Sequence, residues 1–458
     1  MAHAQNGSVG NSPRISSLES RDQLAWKKVS YTTLISLLVG VPGVVQYISG
    51  LPWWVYPVTF LLCLLPTFGA FMIIFNRICV GELGTKCNVM SKYVKFNDPS
   101  LEKSYSNRKI PIYVLYESYA DGKLDFKMEP LQALEHRNEF TTYELGYYHL
   151  KFFLCNFVPE LLSHSRTQDC EQVRDHYDRG NDFYEAFLGP MMIYTSGIVY
   201  NEDESLEDAQ RNKLSAVCEK VQLKKGDKHL DIGCGWGTLV NYAAENYGSY
   251  STGVTLAKNQ VEWGNRVAQL KGVENRVNFL CLDYRDIPRT KYNKITCLEM
   301  AEHVGIRNFQ SFLWQVREML EDDGVFFLQI AGLRRAWQWE DFIWGLFMAK
   351  YIFPGADASC PLGWFITHLE QAGFEVQGTE KIGIHYSYTI NRWYENWMRP
   401  EAQEAMVKKY GRIARIWNIF LSWSTIIARQ GNSTCTQIVC HKNLNGYDRT
   451  RFYQKKRN

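Results

Sequence analysis

The chain has 458 residues, with 51 lysines and arginines against 48 aspartates and glutamates. This near balance of charge excludes the strongly basic footprint that is typical of nucleic-acid-binding proteins. The 12 cysteines include no C-x-x-C pair, which disfavours a zinc site and a disulfide framework. The 14 Trp, 27 Tyr and 24 Phe residues suit a protein that handles apolar ligands or a membrane interface.

The N-terminal segment combines a polar tail with a long uncharged stretch. Residues 1–28 predict a disordered tail, whereas residues 29–76 contain no Asp, Glu, Lys or Arg. That length suits two membrane spans of about 20 residues each. We place them at 31–49 and 54–76, inside a hairpin segment 29–78. A buried hairpin of a soluble domain is disfavoured, because soluble helices usually carry a polar stripe and these two carry none. A cleaved signal peptide is disfavoured because the apolar stretch begins late and a second one follows.

Basic residues flank the hairpin, and its turn carries no charge. Lys27 and Lys28 precede it, and Arg77, Lys86 and Lys92 follow it. By the positive-inside rule both flanks face the cytosol. We therefore expect a multi-pass protein of the endoplasmic reticulum or another endomembrane, with both termini and the remaining chain cytosolic.

Residues 79–165 are interpreted as a connecting, lipid-facing region. Within them, the stretch KIPIYVLYESYADGKLDFK (109–127) predicts a β-hairpin that turns at Asp121-Gly122.

From residue 228 onwards, short apolar stretches alternate with longer helical ones, which predicts an α/β sheet. The predicted strands are 228–232, 250–255, 277–281, 294–299, 324–331, 374–379 and 434–442. The predicted helices include 236–247, 257–271, 308–320 and 362–372. We assign residues 166–442 to this domain and residues 443–458 to a basic C-terminal tail.

Three glycines, Gly233, Gly235 and Gly237, follow the first of these strands. Without Cβ atoms they let a ligand approach the backbone near a helix N-terminus. Their G-x-G-x-G spacing differs from the G-x-G-x-x-G of dinucleotide sites, and no acidic residue follows about twenty positions later, so NAD is disfavoured. Asp231 before the glycines and LDYRD (282–286) after the third strand suit S-adenosylmethionine instead.

Eight ordered blocks between about 170 and 442 resemble the cyclopropane-fatty-acyl-phospholipid synthase family of S-adenosylmethionine-dependent methyltransferases. They are HYDRGNDFYEAFLG (176–189), MIYTSG (192–197), LDIGCGWG (230–237), GVTLAKNQ (253–260), DYRD (283–286), EHVG (302–305), YIFPGA (351–356) and HYSYTINRW (385–393). The two spans and LQIAGLRR (328–335) are similar to one branch, the fungal-type sphingolipid 9-methyltransferases. The resemblance implies a Rossmann-like methyltransferase domain with a seven-stranded mixed sheet, preceded by a two-helix transmembrane hairpin.

The resemblance also implies S-adenosylmethionine as methyl donor, no metal, and ten cofactor-binding positions. These are Tyr194, Thr195, Asp231, Gly233, Gly235, Gly237, Thr255, Gln260, Asp283 and Tyr284. Tyr194 and Thr195 would contact the amino-acid end of the cofactor, Thr255 and Gln260 the ribose, and the Asp283 loop the adenine. For each polar residue an ordinary cap or turn is the plainer interpretation.

An altered anion site is the main departure from the family pattern. In cyclopropane synthases the base is understood to be a bicarbonate, held at four positions that correspond to Ser196, Glu302, Gln329 and Tyr386 here. Two of these four differ from the family, because Ser196 replaces a cysteine and Gln329 replaces a histidine. Glutamine cannot take up a proton, so the anion site is expected to be weakened or lost. Loss of a proton from the methylated carbon would then give a methyl-branched alkene instead of a ring.

We expect Glu302 or Tyr386 to steer this deprotonation, although a helix cap is the plainer interpretation of Glu302. His176 and His303 are candidate bases, but a supporting hydrogen-bond role is favoured for both.

The resemblance implies transfer of a methyl group to alkene carbon 9 of a sphingoid base, in ceramide or glucosylceramide. Two alternatives stay open. One is a synthase of cyclopropane or methyl-branched fatty-acyl phospholipids, and the other is a non-catalytic lipid-binding protein anchored to a membrane.

Overall fold

A computed structural model of the chain describes residues 31–80, 85–152, 155, 180–336, 338–356 and 358–446. The chain divides into two compact units, Met1–Gly146 and Tyr147–Asn458. The predicted tail 1–28, His176 and most of the predicted tail 443–458 lie outside the described residues.

The first unit begins with two apolar helices, α1 (Tyr31–Ser49) and α2 (Tyr56–Val80), joined through a 3₁₀ turn at Trp53–Val55. Both are long and apolar enough to cross a membrane, and only 11% and 17% of the residues in their apolar windows are buried. Ile48 and Leu62, for example, are 77% and 72% exposed. Such an extended exposed apolar surface is typical of membrane contact. In a soluble domain a hairpin of this composition would be mostly buried.

A buried glutamine closes the turn between the two helices. Gln46 Nε2 donates to the carbonyl oxygens of Leu51 at 3.0 Å and Pro52 at 2.6 Å, and Thr59 Oγ1 donates to Gln46 Oε1. Polar groups in an apolar environment need such internal partners. At the far end of α2, Asn76 donates to the Tyr143 carbonyl at 3.0 Å and accepts from Leu145 N at 2.7 Å. These bonds fix the hairpin to the rest of its own unit.

The remainder of the first unit consists of short elements. They are α3 (Met90–Tyr93), β1 (Val94–Phe96), α4 (Pro99–Tyr105), β2 (Ile110–Pro111), α5 (Ile112–Ala120), β3 (Leu124–Phe126), α6 (Pro130–Glu135), α7 (Arg137–Phe140) and β4 (Thr141–Thr142).

The predicted hairpin at Asp121-Gly122 is wrong, because the segment before it forms the helix α5. Ile112, Leu115, Tyr116 and Tyr119 are all buried, and their spacing of i, i+3, i+4 and i+7 is that of one helix face. Strand β3 pairs antiparallel with β1 instead.

The second unit contains a seven-stranded mixed sheet, which confirms the predicted fold class. Its strands are β5 (Lys228–Ile232), β6 (Tyr250–Thr255), β7 (Val277–Cys281), β8 (Tyr292–Leu298), β9 (Leu320–Leu333), β10 (Phe374–Lys381) and β11 (Ser433–Lys442). Their order is β10-β11-β9-β8-β5-β6-β7. Strand β11 runs antiparallel to both neighbours, and the remaining pairs are parallel.

Helices pack on both faces of this sheet. The helices of the second unit, among the described residues, are α8 (Tyr147–Phe152), α9 (Asn181–Leu188), α10 (Leu206–Lys220), α11 (Thr238–Tyr247), α12 (Lys258–Lys271), α13 (Ile306–Met319), α14 (Trp339–Tyr351), α15 (Leu362–Gln371), α16 (Gly383–Trp397), α17 (Pro400–Tyr410) and α18 (Arg412–Arg429). Successive residues of β9 enter different cores: Phe326 packs with Phe312 of α13, and Phe327 packs with Val217 of α10. A strand that is buried on both sides in this way is typical of parallel sheets.

The order of the strands indicates where a ligand would bind. Strand β5 lies between β6 and β8, so the chain builds the sheet outwards from β5 first on one side and then on the other. In open parallel sheets a crevice forms beyond the carboxyl ends of the strands at this switch point, and ligands bind there.

Candidate active site

A cavity occupies the expected crevice. Its walls come from the residues that follow β5, β6, β7 and β8, and its empty space, with solvent at the mouth included, is about 1140 Å³. Nine of the ten predicted cofactor-binding residues line it, together with His303; the nine are Tyr194, Thr195, Asp231, Gly233, Gly235, Thr255, Gln260, Asp283 and Tyr284. Gly237 is not among the lining residues and caps the N-terminus of α11 instead.

The three glycines have different structural roles. All have positive φ angles, of 80° at Gly233, 53° at Gly235 and 78° at Gly237. A Cβ on Gly233 would overlap the Met300 side chain, and one on Gly237 would lie 2.6 Å from Cζ of Phe279. A Cβ on Gly235 would meet no protein atom within 4 Å. Gly233 and Gly237 are therefore required for close packing, whereas Gly235 leaves space for a ligand to approach the backbone.

Polar side chains fix the loops of the cavity wall. Thr255 Oγ1 donates to Gln260 Oε1 at 2.5 Å, and both residues are buried. Asp283 caps the turn Tyr284–Asp286 by accepting from Arg285 N, and it also binds the Arg285 guanidinium at 2.8 Å. Asp283 thus acts as a cap, the plainer of its two predicted roles, and also lines the cavity.

A buried lysine lines the cavity close to two carboxylates. Lys213 Nζ donates to Thr195 Oγ1 at 2.9 Å. Burial lowers the pKa of Lys213 to about 8, against the attraction of Glu299 and Asp231. Burial also raises the pKa of Asp231 to about 6, although Asp231 accepts from Thr296 Oγ1 at 2.7 Å. Desolvation therefore affects the charge of both Lys213 and Asp231 in the cavity wall.

Glu299 is the centre of a hydrogen-bond network that sequence reasoning missed. Its Oε1 accepts from Ser196 N at 3.0 Å and Gln329 Nε2 at 2.6 Å, and Cys435 Sγ lies 3.5 Å from it. Its Oε2 accepts from Tyr386 Oη at 2.7 Å. Three of the four positions that the resemblance assigned to a bicarbonate site thus surround a carboxylate of the protein itself.

The fourth of these positions, Glu302, accepts no hydrogen bond from the described residues of that network and does not line the cavity. Its Oε1 accepts from Ala331 N at 2.5 Å, and its Oε2 has no hydrogen-bond partner within the part of the chain that the structure describes. Burial, with a further contribution from the charge of Glu299, raises the pKa of Glu302 to about 8. The carboxyl group of Glu302 is therefore mainly protonated at neutral pH.

Tyr194 lines the cavity, and further aromatic rings pack against it. The Tyr194 ring lies 5.4 Å from Trp393 and 5.8 Å from Phe353, measured between ring centroids. Trp393 in turn lies 6.0 Å from Tyr386, and His303 lies 6.0 Å from Phe353. His303 therefore faces both the cavity and an apolar ring. No set of His, Cys, Asp and Glu side chains suited to a metal ion occurs among the described residues.

The position of Glu299 was a usable signal in the sequence. It directly follows β8, and in such sheets functional side chains gather just beyond the carboxyl ends of the strands. Its partners come from residues 196, 329, 386 and 435. The resemblance placed the first three of these around an anion, but it did not show that Glu299 lies among them. Lys213 gave no such signal, because it lies within the helix α10.

Comparison with known proteins decides the family. The mycolic acid cyclopropane synthetase family matches residues 164–438. Sphingolipid C9-methyltransferase A of Emericella nidulans is 57% identical over 364 residues, which cover 78% of this chain and 70% of that protein. The sphingolipid C9-methyltransferase of Komagataella phaffii is 49% identical over 445 residues, covering 93% and 90%. The chain belongs to the sphingolipid C9-methyltransferase group of this family.

The solved structure of the cyclopropane synthase MmaA2 from Mycobacterium tuberculosis has a TM-score of 0.56 with this chain at 26% identity, covering 60% of the chain and 98% of that protein. Membership of the sphingolipid C9-methyltransferase group and this fold confirm the predicted S-adenosylmethionine-dependent methyltransferase. The cavity fits that cofactor: Gly235 leaves room at the backbone, and Asp231, Thr255 and Gln260 present polar groups to it.

Proposed function

We propose that this chain transfers a methyl group from S-adenosylmethionine to alkene carbon 9 of an unsaturated sphingoid base, within ceramide or glucosylceramide. The observation that carries the proposal is the 49% identity to a named sphingolipid C9-methyltransferase across 93% of the chain, apolar hairpin included. The cavity with its glycine turn and adjoining aromatic rings supports it independently.

In this proposal the nine lining residues named above hold the cofactor, with Gly237 shaping the turn from behind. Tyr194 and Thr195 contact its amino-acid end, Thr255 and Gln260 its ribose, and the Asp283–Tyr284 loop its adenine. When bound, the cofactor supplies an electrophilic methyl group. Lys213 holds Thr195 in place through its 2.9 Å hydrogen bond.

The chain's own residues must then position a weak nucleophile and stabilise a cation. Holding an alkene close to a methyl donor contributes up to about 7–11 kcal/mol in well-oriented cases. Attack by carbon 9 leaves a positive charge on the neighbouring alkene carbon. Tyr194 lines the cavity, and the rings of Trp393 and Phe353 pack against it. An aromatic face stabilises a nearby cation by about 0.5–2 kcal/mol.

The apolar hairpin places this chemistry at a bilayer. We propose that α1 and α2 span an endomembrane, with both termini and the domain 166–442 on the cytosolic side. The exposed apolar side chains of both helices support this topology, as do the basic flanks Lys27, Lys28 and Arg77. Tethering raises the concentration of the enzyme at the membrane that contains its lipid substrate. Residues 79–165 would then connect the hairpin to the catalytic domain and face the lipid.

Methyl-labelled cofactor tests the proposal. The full-length protein is incubated with vesicles that contain ceramide, glucosylceramide or an unsaturated phosphatidylcholine, the first two with an alkene at carbons 8 and 9 of the base. Label in one or both sphingolipids, located at carbon 9, is the expected result. Label confined to the phosphatidylcholine would overturn the proposal and favour a fatty-acyl phospholipid synthase. Cofactor binding without transfer to any lipid would instead favour a non-catalytic lipid-binding protein.

A further inference from the structure

A carboxylate at the cavity wall offers a function beyond cofactor binding. We propose that Glu299 is the proton acceptor of the methyl transfer, so that a side chain of this protein does what a bound bicarbonate does in cyclopropane synthases. The inference rests on the proposed function, because it requires an alkene substrate in the same cavity.

The contacts of Glu299 are those of a held anion. Among the described residues four groups contact its carboxylate, and all four are donors: Ser196 N, Gln329 Nε2, Tyr386 Oη and Cys435 Sγ. An ionised carboxylate accepts hydrogen bonds and donates none, so this set matches the charged form. Removal from water raises the pKa of both the Tyr386 hydroxyl and the Cys435 thiol well above their ordinary values. Both groups therefore keep their protons and remain donors.

Two further side chains orient the Gln329 amide so that its NH₂ group points to Glu299. Gln437 Nε2 donates to Gln329 Oε1 at 2.8 Å, and Lys220 Nζ donates to Gln437 Oε1. With its oxygen occupied in this way, the Gln329 amide presents its NH₂ group to Glu299. A glutamine in place of a basic histidine thus suits a site that holds a carboxylate permanently.

The backbone at Glu299 is strained in a way that directs the side chain. Its φ angle is 52°, in the left-handed region that non-glycine residues seldom adopt. Strained residues of this kind cost about 1–3 kcal/mol and concentrate at active sites. Glu299 also lines the cavity and accepts a hydrogen bond from Tyr386, whose ring lies 6.0 Å from that of Trp393. The carboxylate therefore lies at the cavity wall, held by the hydroxyl group of Tyr386.

The proton balance of the step is simple. The alkene π electrons form the new bond from carbon 9 to the methyl group, and the methyl–sulfur bond breaks with its electrons left on sulfur. The C–H bond of carbon 9 then breaks, its electrons restore the alkene, and its proton goes to Glu299 and from there to solvent. A C–H bond beside a carbocation is strongly acidic, so a carboxylate stabilised by several donors is a sufficient base.

Two substitutions at Glu299 test this role in the full-length protein. Glu299→Gln keeps the shape and removes the basic oxygen, so turnover should fall by roughly 10²–10⁴-fold, while the cofactor dissociation constant changes by only a few-fold. Glu299→Ala leaves the donors Ser196, Gln329 and Tyr386 around a space of carboxylate size. Added bicarbonate or formate should restore part of its turnover, and neither anion should stimulate the wild type. Glu318→Gln, an exposed site paired with Arg289, is the matched control and should retain wild-type turnover.

The outcomes separate the two proposals. If the wild type labels no sphingolipid, the proposed function fails. If the wild type labels sphingolipid and Glu299→Gln does so within a few-fold of the wild-type rate, the role of Glu299 is overturned. Stimulation of the wild type by bicarbonate would also overturn it. Loss of turnover in both variants with normal cofactor affinity and no rescue by either anion would count against Glu299 as the base, since a purely structural role gives that result.

Discussion

Replacing Gly235 by alanine should separate cofactor binding from folding. The added Cβ meets no protein atom within 4 Å, and it projects from a residue that lines the cavity. The φ angle of 53° imposes a backbone cost of about 1–2 kcal/mol for an L-residue. Since 1 kcal/mol lowers the Tm of a domain of 150–250 residues by about 2–4 °C, and of a larger domain by less, the variant should stay folded. Cofactor affinity should nevertheless fall at least about tenfold, which corresponds to 1.4 kcal/mol.

Gly237→Ala is the matched control, because its φ angle of 78° imposes a similar backbone cost. Its Cβ would lie 2.6 Å from Phe279 Cζ, away from the cavity lining. Overpacking of this kind adds about 1–3 kcal/mol of destabilisation. Calorimetric titration with S-adenosylmethionine and thermal unfolding of both variants make the comparison. Wild-type affinity in folded Gly235→Ala, or a greater loss of affinity in Gly237→Ala, would refute the assignment of the glycine turn.

Two further predictions concern stability and the membrane. The fold raises the pKa of Glu302 to about 8, so its contribution to stability is complete below its ordinary pKa and is lost as the pH rises through about 8. Glu302→Gln keeps an acceptor for Ala331 N and should remove up to about 1.4 kcal/mol per pH unit of this dependence. The free energy of unfolding, measured with denaturant across that pH range, tests this prediction. The same pH dependence in Glu302→Gln and the wild type would contradict the effect assigned to the burial of Glu302. Deletion of residues 1–78 should leave cofactor affinity intact but slow methylation of vesicle-bound sphingolipid at least about tenfold; equal rates for both forms on vesicles would show that the hairpin is dispensable.

The sheet was predictable because most of its strands contain a short apolar stretch bounded by turn residues. Strands β5, β6 and β7 have the predicted bounds, whereas β9 begins four residues earlier than predicted, at Leu320. Leu320 pairs with Tyr292 across a register shift between β8 and β9. That irregular pairing depends on the neighbouring strand and leaves no mark in the local sequence.

Helix α5 was missed because its residue types favour a strand while its spacing favours a helix. Ile112, Tyr113 and Val114 have high β-propensity, yet the buried residues Ile112, Leu115, Tyr116 and Tyr119 follow the helical period. Packing of that face overrode the local preference. Glu299 was missed for another reason. The resemblance grouped Ser196, Gln329 and Tyr386 around an external anion, and only the three-dimensional contacts show that the Glu299 carboxylate lies among them.

A fully deuterated methyl group on the cofactor gives the most direct test of the central claim, methylation of carbon 9 with proton loss from that same carbon. The wild-type protein is incubated with this cofactor and the unsaturated ceramide and glucosylceramide, and the products are analysed by mass spectrometry. The account predicts a branched sphingolipid that keeps its double bond and every deuterium of the transferred methyl group. Loss of one deuterium together with the double bond would show ring formation with a proton taken from the methyl group, and would contradict the account.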